Sequence, residues 1–305
     1  MNYRHSFHAG NFADVLKHIV LALVIDYMKR KDAPFRVIDT HAGAGRYQLG
    51  SSESGKTGEW QRGIGRLLGA GARPLHRAAA QHLQPYFEAV RAANPGGGLN
   101  TYPGSPALAL SLMRPQDTLV ANELHPEEWA RLKAAIGGDR RVKLMSLDAW
   151  VALKALLPPK ERRGVILIDP PFEEAGELDR MAAGLAQGLR RFATGTFVLW
   201  YPIKDVQPVN RFHDALAALG VPKLMLVELM IERPTDPDRL NGCGLVVANP
   251  SYTLHGGLAA LLPELSRRLA ASGSGAGHRL EWIVPCPAGA VETLSGSKRR
   301  VRTGR

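Results

Sequence analysis

Between residues 35 and 249 short apolar runs alternate with longer segments of helical periodicity, and few folds accommodate that alternation. Apolar runs at 35–39, 118–123, 142–147, 165–168, 196–200, 223–232 and 244–249 read as strands. Helical patterns at 105–113, from 126, from 149, at 177–191 and at 210–219 lie between them, and another follows at 258–269. A strand that crosses over a helix before meeting the next strand pairs with it in parallel, and the helices then cover both faces of the sheet. The run Val165-Ile166-Leu167-Ile168 is apolar at every position, as a strand buried on both faces requires. No helix separates 223–232 from 244–249, so these two form a hairpin and the last strand runs antiparallel. The expected fold is α/β, a doubly wound, mostly parallel seven-stranded sheet with an antiparallel last strand.

Ahead of the sheet, Phe12, Val15, Leu16, Ile19, Val20 and Leu23 recur at three and four residues, predicting a helix over 11–31 with Asn11 as N-cap. Residues 48–100 interrupt the alternation. They open on a Gly/Ser-rich stretch, continue as a helical segment near 73–93 and close on Asn94-Pro95-Gly96-Gly97-Gly98. Turn-rich flanks around helical material predict a small inserted helical subdomain at 48–100, set into a Rossmann-like domain made of 1–47 and 101–290. Residues 291–305 lack apolar periodicity and carry Lys298, Arg299, Arg300, Arg302 and Arg305, so they read as a disordered basic tail.

No stretch reaches the ~18 uninterrupted apolar residues of a membrane span. The first residues show no apolar h-region, and the two cysteines, Cys243 and Cys286, read as small core fillers in a reducing compartment. A cytoplasmic protein with no membrane partner is expected, and nothing demands more than a monomer. Lys+Arg 39 against Asp+Glu 28 gives a net charge of +11, which favours a polyanionic partner through counterion release. An arginine-favouring composition gives the same excess to an unrelated enzyme, so charge alone does not name the partner.

Ligands of open parallel sheets sit beyond the carboxyl ends of the strands. Those ends carry Asp39-Thr40-His41 with the Gly43/Gly45 loop, then Glu123-Leu124-His125-Pro126, Asp148, and Asp169-Pro170-Pro171-Phe172. The Gly loop lacks the full G-x-G-x-x-G spacing and is weak by itself; a tight strand–helix joint would look the same. Glu123 stands where a carboxylate takes both ribose hydroxyls of a nucleoside. Asp-Pro-Pro-Phe suits chemistry on an exocyclic amine, whose lone pair is delocalised into its ring. A carboxylate and a neighbouring carbonyl accept its N–H bonds and aim the lone pair, prolines fix the turn and offer no competing N–H, and the aromatic ring stacks on an extruded base. His5, His8, Asp14 and His18 do not form a convincing metal set, since two precede the helix and two lie on it; Asp14 and His18, at i and i+4, read as a local helix pair.

The Gly loop after the first strand, the acidic second strand end and the Asp-Pro-Pro-Phe turn resemble class I S-adenosylmethionine-dependent amino-methyltransferases. Whole segments (3–11, 13–18, 39–47, 102–106, 123–126, 191–196 and 199–202) resemble, more closely, the bacterial 23S ribosomal RNA adenine-N6 methyltransferases. The resemblance implies S-adenosyl-L-methionine as cofactor, S-adenosyl-L-homocysteine as product and no metal. It places His18, His41, Gly43, Ser105, Glu123, Asp148, Ala149 and Asp169 around the cofactor. It assigns Asp169, Pro170 and Phe172 to catalysis, with Phe172 standing where the family commonly has tyrosine, and it turns Tyr3 toward the RNA. Arg4 and Lys17 are candidates for phosphate contact. The implied partner is 23S ribosomal RNA, free or in an assembly intermediate. DNA adenine-N6 methylation is the alternative, because the motif sees only the flipped base, and a non-catalytic RNA-binding protein on the same fold is a third.

Overall fold

The computed structural model describes residues 7–50, 58–271 and 275–283; Tyr3, Arg4, Cys286 and the basic tail lie outside them. Helix α1 (Phe12–Met28) starts where Asn11 Oδ1 accepts the backbone N–H of Ala13 at 2.9 Å and of Asp14 at 3.0 Å. Strand β1 (Arg36–Asp39) follows, then β2 (Arg46–Gln48), the short helices α2 (Glu59–Arg62) and α3 (Gly65–Leu68), α4 (Arg77–Ala92) and β3 (Thr101–Pro103). The alternating part comprises α5 (Ser105–Leu112), β4 (Thr118–Asn122), α6 (Pro126–Ile136), β5 (Val142–Met145), α7 (Ala149–Leu156) and β6 (Gly164–Ile168). It continues through α8 (Glu177–Arg191), β7 (Thr196–Ile203), α9 (Val206–Ala218), β8 (Leu224–Met230), β9 (Gly242–Ala248), α10 (Leu254–Leu269) and β10 (Gly277–Ile283).

The main sheet has the order β10-β8-β9-β7-β6-β1-β4-β5. Strands β5, β4, β1, β6 and β7 pair in parallel, and β9 slots antiparallel between β7 and β8, as the hairpin predicts. The sheet has eight strands rather than seven. The addition is β10, antiparallel to β8, in which Leu280 turns to the core while its neighbours Arg279 and Glu281 pair with each other at the edge. Helix α9 starts at Val206, four residues before the sequence expectation, because Asp205 caps it by accepting the Gln207 N–H at 2.9 Å.

Alternate residues of each central strand enter different cores. Val37, Val165 and Leu167 pack toward α1, α4, α5 and α10, whereas Ile38, Ile166 and Ile168 pack toward α8 and α9. This double burial explains the uninterrupted apolar strands, each fully buried aliphatic side chain contributing ~1.5–3 kcal/mol. The helical stretch between β2 and β3 places Ile64, Leu67, Leu83 and Tyr86 in the same core as α1, and its two ends meet in the β2–β3 ladder, Tyr47 opposite Tyr102. The chain builds outward from β1 to β4 and β5 and then returns to β6 on the other side of β1. The β1–β6 boundary is therefore the switch point, above which a crevice opens.

Candidate active site

A cleft of about 800 Å³ lies over the carboxyl ends of the strands, lined by residues that follow β1, β4, β5, β6 and β7 and by the start of α1. Among the sequence candidates, Lys17, His18, His41, Gly43, Ser105, Glu123, Asp148, Ala149, Asp169, Pro170 and Phe172 all line it.

On the β4 side, Glu123 is held through both oxygens. Oε2 accepts the Gly43 N–H and Oε1 the His125 N–H, each at 2.8 Å. Burial pushes its carboxyl up and those two N–H groups oppose the shift. Each oxygen keeps a lone pair for a further donor. Gly43 sits at φ +58°, and a Cβ there would fall 2.3 Å from the Tyr47 hydroxyl, which accepts the Ala44 N–H at 3.1 Å. The loop is thus shaped by its glycine despite the missing third glycine of the fingerprint. Asn122, which sequence reasoning passed over, ties the strand ends together. Its Nδ2 donates to the Thr40 and Leu147 carbonyls at 3.0 and 2.9 Å, and its Oδ1 accepts the Leu147 N–H at 3.0 Å.

Asp148 caps α7 through Oδ1, which accepts the N–H of Trp150 at 3.0 Å and Val151 at 2.9 Å, leaving Oδ2 for another donor. At the end of β1, Asp39 is buried and accepts the Ser105 hydroxyl at 2.6 Å. Burial raises its carboxyl to about 6. His41, beside it, has Nδ1 2.9 Å from the Thr40 hydroxyl and meets Trp150 edge-on. Burial pushes His41 down to about 4, so it is neutral at physiological pH. His18 is fully buried, stacks on Tyr102 and places Nδ1 2.9 Å from the Tyr102 hydroxyl.

One expectation for α1 changes. Lys17 is buried rather than turned toward phosphate, with Nζ 2.9 Å from Asp14 and 2.5 Å from Asp169 Oδ2. Its charge is already matched by two carboxylates. Asp14 pairs with Lys17 at i+3, and its other oxygen accepts the Gly10 N–H at 3.0 Å. Asp169 follows β6 at the switch point, with Oδ1 left for another donor. Phe172 meets Trp200 of β7 edge-on at 5.9 Å, which holds its ring against that strand. Among the described residues no group of three or more His, Cys, Asp or Glu is arranged to hold a metal ion.

Comparison with known proteins bears directly on this cleft. A family model described as ribosomal RNA large subunit methyltransferase D, RlmJ, matches residues 32–284. The chain is 42% identical over 285 residues to the ribosomal RNA large subunit methyltransferase J of Escherichia coli K12, covering 93% of this chain and 99% of that protein. To the protein of the same name from Haemophilus influenzae it is 41% identical over 286 residues, with the same coverage. The crystal structure of protein LPL1258 from Legionella pneumophila superposes with a TM-score of 0.79 at 30% identity, covering 90% of this chain and 98% of that one.

Proposed function

Since the chain belongs to the family of the ribosomal RNA large subunit methyltransferases J, we propose that it transfers the methyl group of S-adenosylmethionine to N6 of an adenine in 23S ribosomal RNA. The observation that carries the reading is the placement of Asp169-Pro170-Pro171-Phe172 in one cleft with Glu123 and Asp148.

The residues present suit that cofactor. Glu123 offers one lone pair on each oxygen to the two ribose hydroxyls, Asp148 keeps Oδ2, and the Ala149 N–H, in the first turn of α7, has no carbonyl within its own helix. His18, His41, Gly43 and Ser105 close the floor around them. S-adenosylmethionine bound there supplies an electrophilic methyl group on a sulfonium sulfur. Asp169 accepts one N–H of the adenine amine through Oδ1, since Oδ2 is held by Lys17. That bond draws the nitrogen toward sp³ geometry and orients its lone pair. A carboxylate is too weak a base to deprotonate a neutral amine first, so the proton leaves with or after methyl transfer. Phe172 stacks on the extruded base, and the prolines keep the turn free of competing N–H groups. Most of the rate enhancement then comes from positioning and polarisation of the amine.

The test is transfer of labelled methyl from S-adenosylmethionine to unmodified 23S ribosomal RNA, followed by digestion to nucleosides. Label in N6-methyladenosine is expected. Label on duplex DNA instead of RNA would support the alternative substrate. The Asp169→Ala variant is expected to lose transfer by at least about a thousandfold while keeping most of its cofactor affinity, and equal loss of both would remove Asp169 from catalysis.

A further inference from the structure

Charge is sorted along the strand ends. The ends of β5, β4 and β1 carry Asp148, Glu123 and Asp39, and Asp169 stands at the switch point. Beyond it the sign reverses. Lys204 directly follows β7, Arg239 lies in the β8–β9 connection and Arg62 ends α2, and all three are exposed on the wall of the same cleft. Arg62 and Lys204 form no ion pair among the described residues, while Arg239 meets Glu232 at 3.0 Å. On the opposite wall, by contrast, Arg180 is held by Glu174 and Glu177. Of the carboxylates on the cationic side, Glu59 is taken by His8 and Asn11, Glu232 pairs with Arg239, Asp205 caps α9 and Asp236 accepts the Asp238 N–H, which leaves the Asp238 carboxylate.

These cations project from braced backbone. The buried Asn241 places its side-chain nitrogen 3.2 Å from the Lys204 carbonyl, 2.8 Å from that of Asp236 and 3.1 Å from that of Arg239, and its own N–H donates to Ile203 at 3.1 Å. One asparagine thus joins the Lys204 and Arg239 segments. Arg62 adjoins Gly63, where a Cβ would fall 2.0 Å from the Gly10 carbonyl, so α2 sits directly against the entry to α1. The Ile64 N–H fastens it there, donating to Gly10 at 2.9 Å. Between the two cations lies the His8–Glu59 pair, close enough that Lys204 opposes protonation of His8 and Arg62 favours ionisation of Glu59.

Resting on the RNA substrate proposed above, we infer that the rim formed by Arg62 and Lys204, with Arg239 beside them, is a phosphate-binding surface that grips the RNA backbone flanking the target nucleotide. A base that reaches Asp169 leaves its own phosphates at the mouth of the cleft, where the rim places exposed cations on fixed backbone. The acidic wall toward α8 repels the same backbone, so the strand enters over β7 to β9 and not over β4 and β5. Phosphate contacts of this kind position the substrate without reading its sequence.

The experiment compares wild type, Arg62→Glu, Lys204→Glu and the remote charge reversal Arg190→Glu on in vitro transcribed 23S ribosomal RNA, across a salt series. Each rim variant is expected to raise KM for RNA about tenfold and to lower the slope of log affinity against log salt by about one. The rate at saturating RNA and the affinity for S-adenosylmethionine are expected to hold. Arg190→Glu is expected to change neither KM nor slope. If a charge reversal unfolds the protein, as a melt would reveal, Arg62→Gln and Lys204→Gln are expected to show a smaller loss in the same direction. Rim variants with wild-type KM and slope, or an equal loss in Arg190→Glu, would overturn the inference while leaving the methylation reading intact. A wild-type protein that places no label on 23S ribosomal RNA would instead sink that reading, and this inference with it.

Discussion

The cleft half above β4 and β5 presents the carboxylates of Glu123 and Asp148, whereas the half above β7 to β9 sets the exposed cations of Lys204 and Arg239 beside Glu232 and Asp238, although one continuous sheet carries both. They are also held differently. Glu123 and Asp148 are fixed by backbone N–H groups that touch the carboxylates themselves. Lys204 is fixed only through its main chain, by Asn241, and its ammonium stays in water. A carboxylate locked by backbone N–H groups acts at hydrogen-bond range, where shape and burial decide affinity. An exposed charge acts over roughly a Debye length of ~8–10 Å and is screened by salt. The first arrangement suits a small cofactor with a defined pose, and the second suits a flexible polyanion. Two binding functions on one fold should therefore come apart under mutation, loop strain and pH.

Truncating Glu123 should separate them most. Glu123→Ala would remove the two charge-assisted hydrogen bonds proposed to the ribose, ~1.5–3 kcal/mol each, and strand the N–H groups of Gly43 and His125. Cofactor affinity by calorimetry should fall by at least about a hundredfold, while RNA affinity stays within about twofold. A parallel loss of RNA affinity would mean that the two halves are not independent.

The alternation of strands and helices was legible because each central strand is apolar on both faces, and the candidate residues were legible because polar groups at strand ends are few. What was not legible has a common physical form. Asn122 and Asn241 are single asparagines whose work is done on backbone carbonyls, a signal that no side-chain pattern carries. Lys17 reads as a surface cation until its second carboxylate, 152 residues away in sequence, is seen beside it. Strand β10 follows a Gly/Ser-rich stretch and pairs across a long connection, although Leu280 between Arg279 and Glu281 hints at its alternation. The β2–β3 ladder is three residues per strand, too short for periodicity to register.

A smaller effect should follow from the loop. Gly43→Ala forces a side chain into left-handed backbone, ~1–2 kcal/mol, and against the Tyr47 hydroxyl. Thermal stability and cofactor affinity should both drop, the latter about tenfold. Adding Tyr47→Phe removes the hydroxyl and should recover part of the loss, less than the whole because the φ strain remains. No recovery in the double variant would mean that the strain, not the collision, sets the cost.

The smallest expected effect is a difference in pH response between the halves. Asp39, raised to about 6 by burial, is ionised above that value, so affinity for a cationic cofactor should rise between pH 5 and 7 and flatten in Asp39→Asn. The same shift runs the other way for folding: its contribution to stability is full below 3.8 and is lost as pH rises through about 6. His41, held near 4, remains neutral throughout that range. Beside Arg62 the pair His8–Glu59 behaves differently. The hydrogen bond to Glu59 raises His8, whose contribution is full below 6.5 and fades as pH rises through its raised value. Glu59 is lowered by His8 against its own burial, and its contribution is full above 4.5 and fades as pH falls through its lowered value. The seat of α2 on α1 should therefore be firmest between 4.5 and 6.5, the interval in which Asp39 is still gaining its charge. Hydrogen exchange at the Ile64 amide, which donates to Gly10, reads that seat directly. Its protection, corrected for intrinsic exchange, should decline from pH 6 to 8 in the wild type and lose that decline in His8→Gln, while the pH dependence of cofactor binding is unchanged. A decline that persists in His8→Gln would place the titrating group elsewhere.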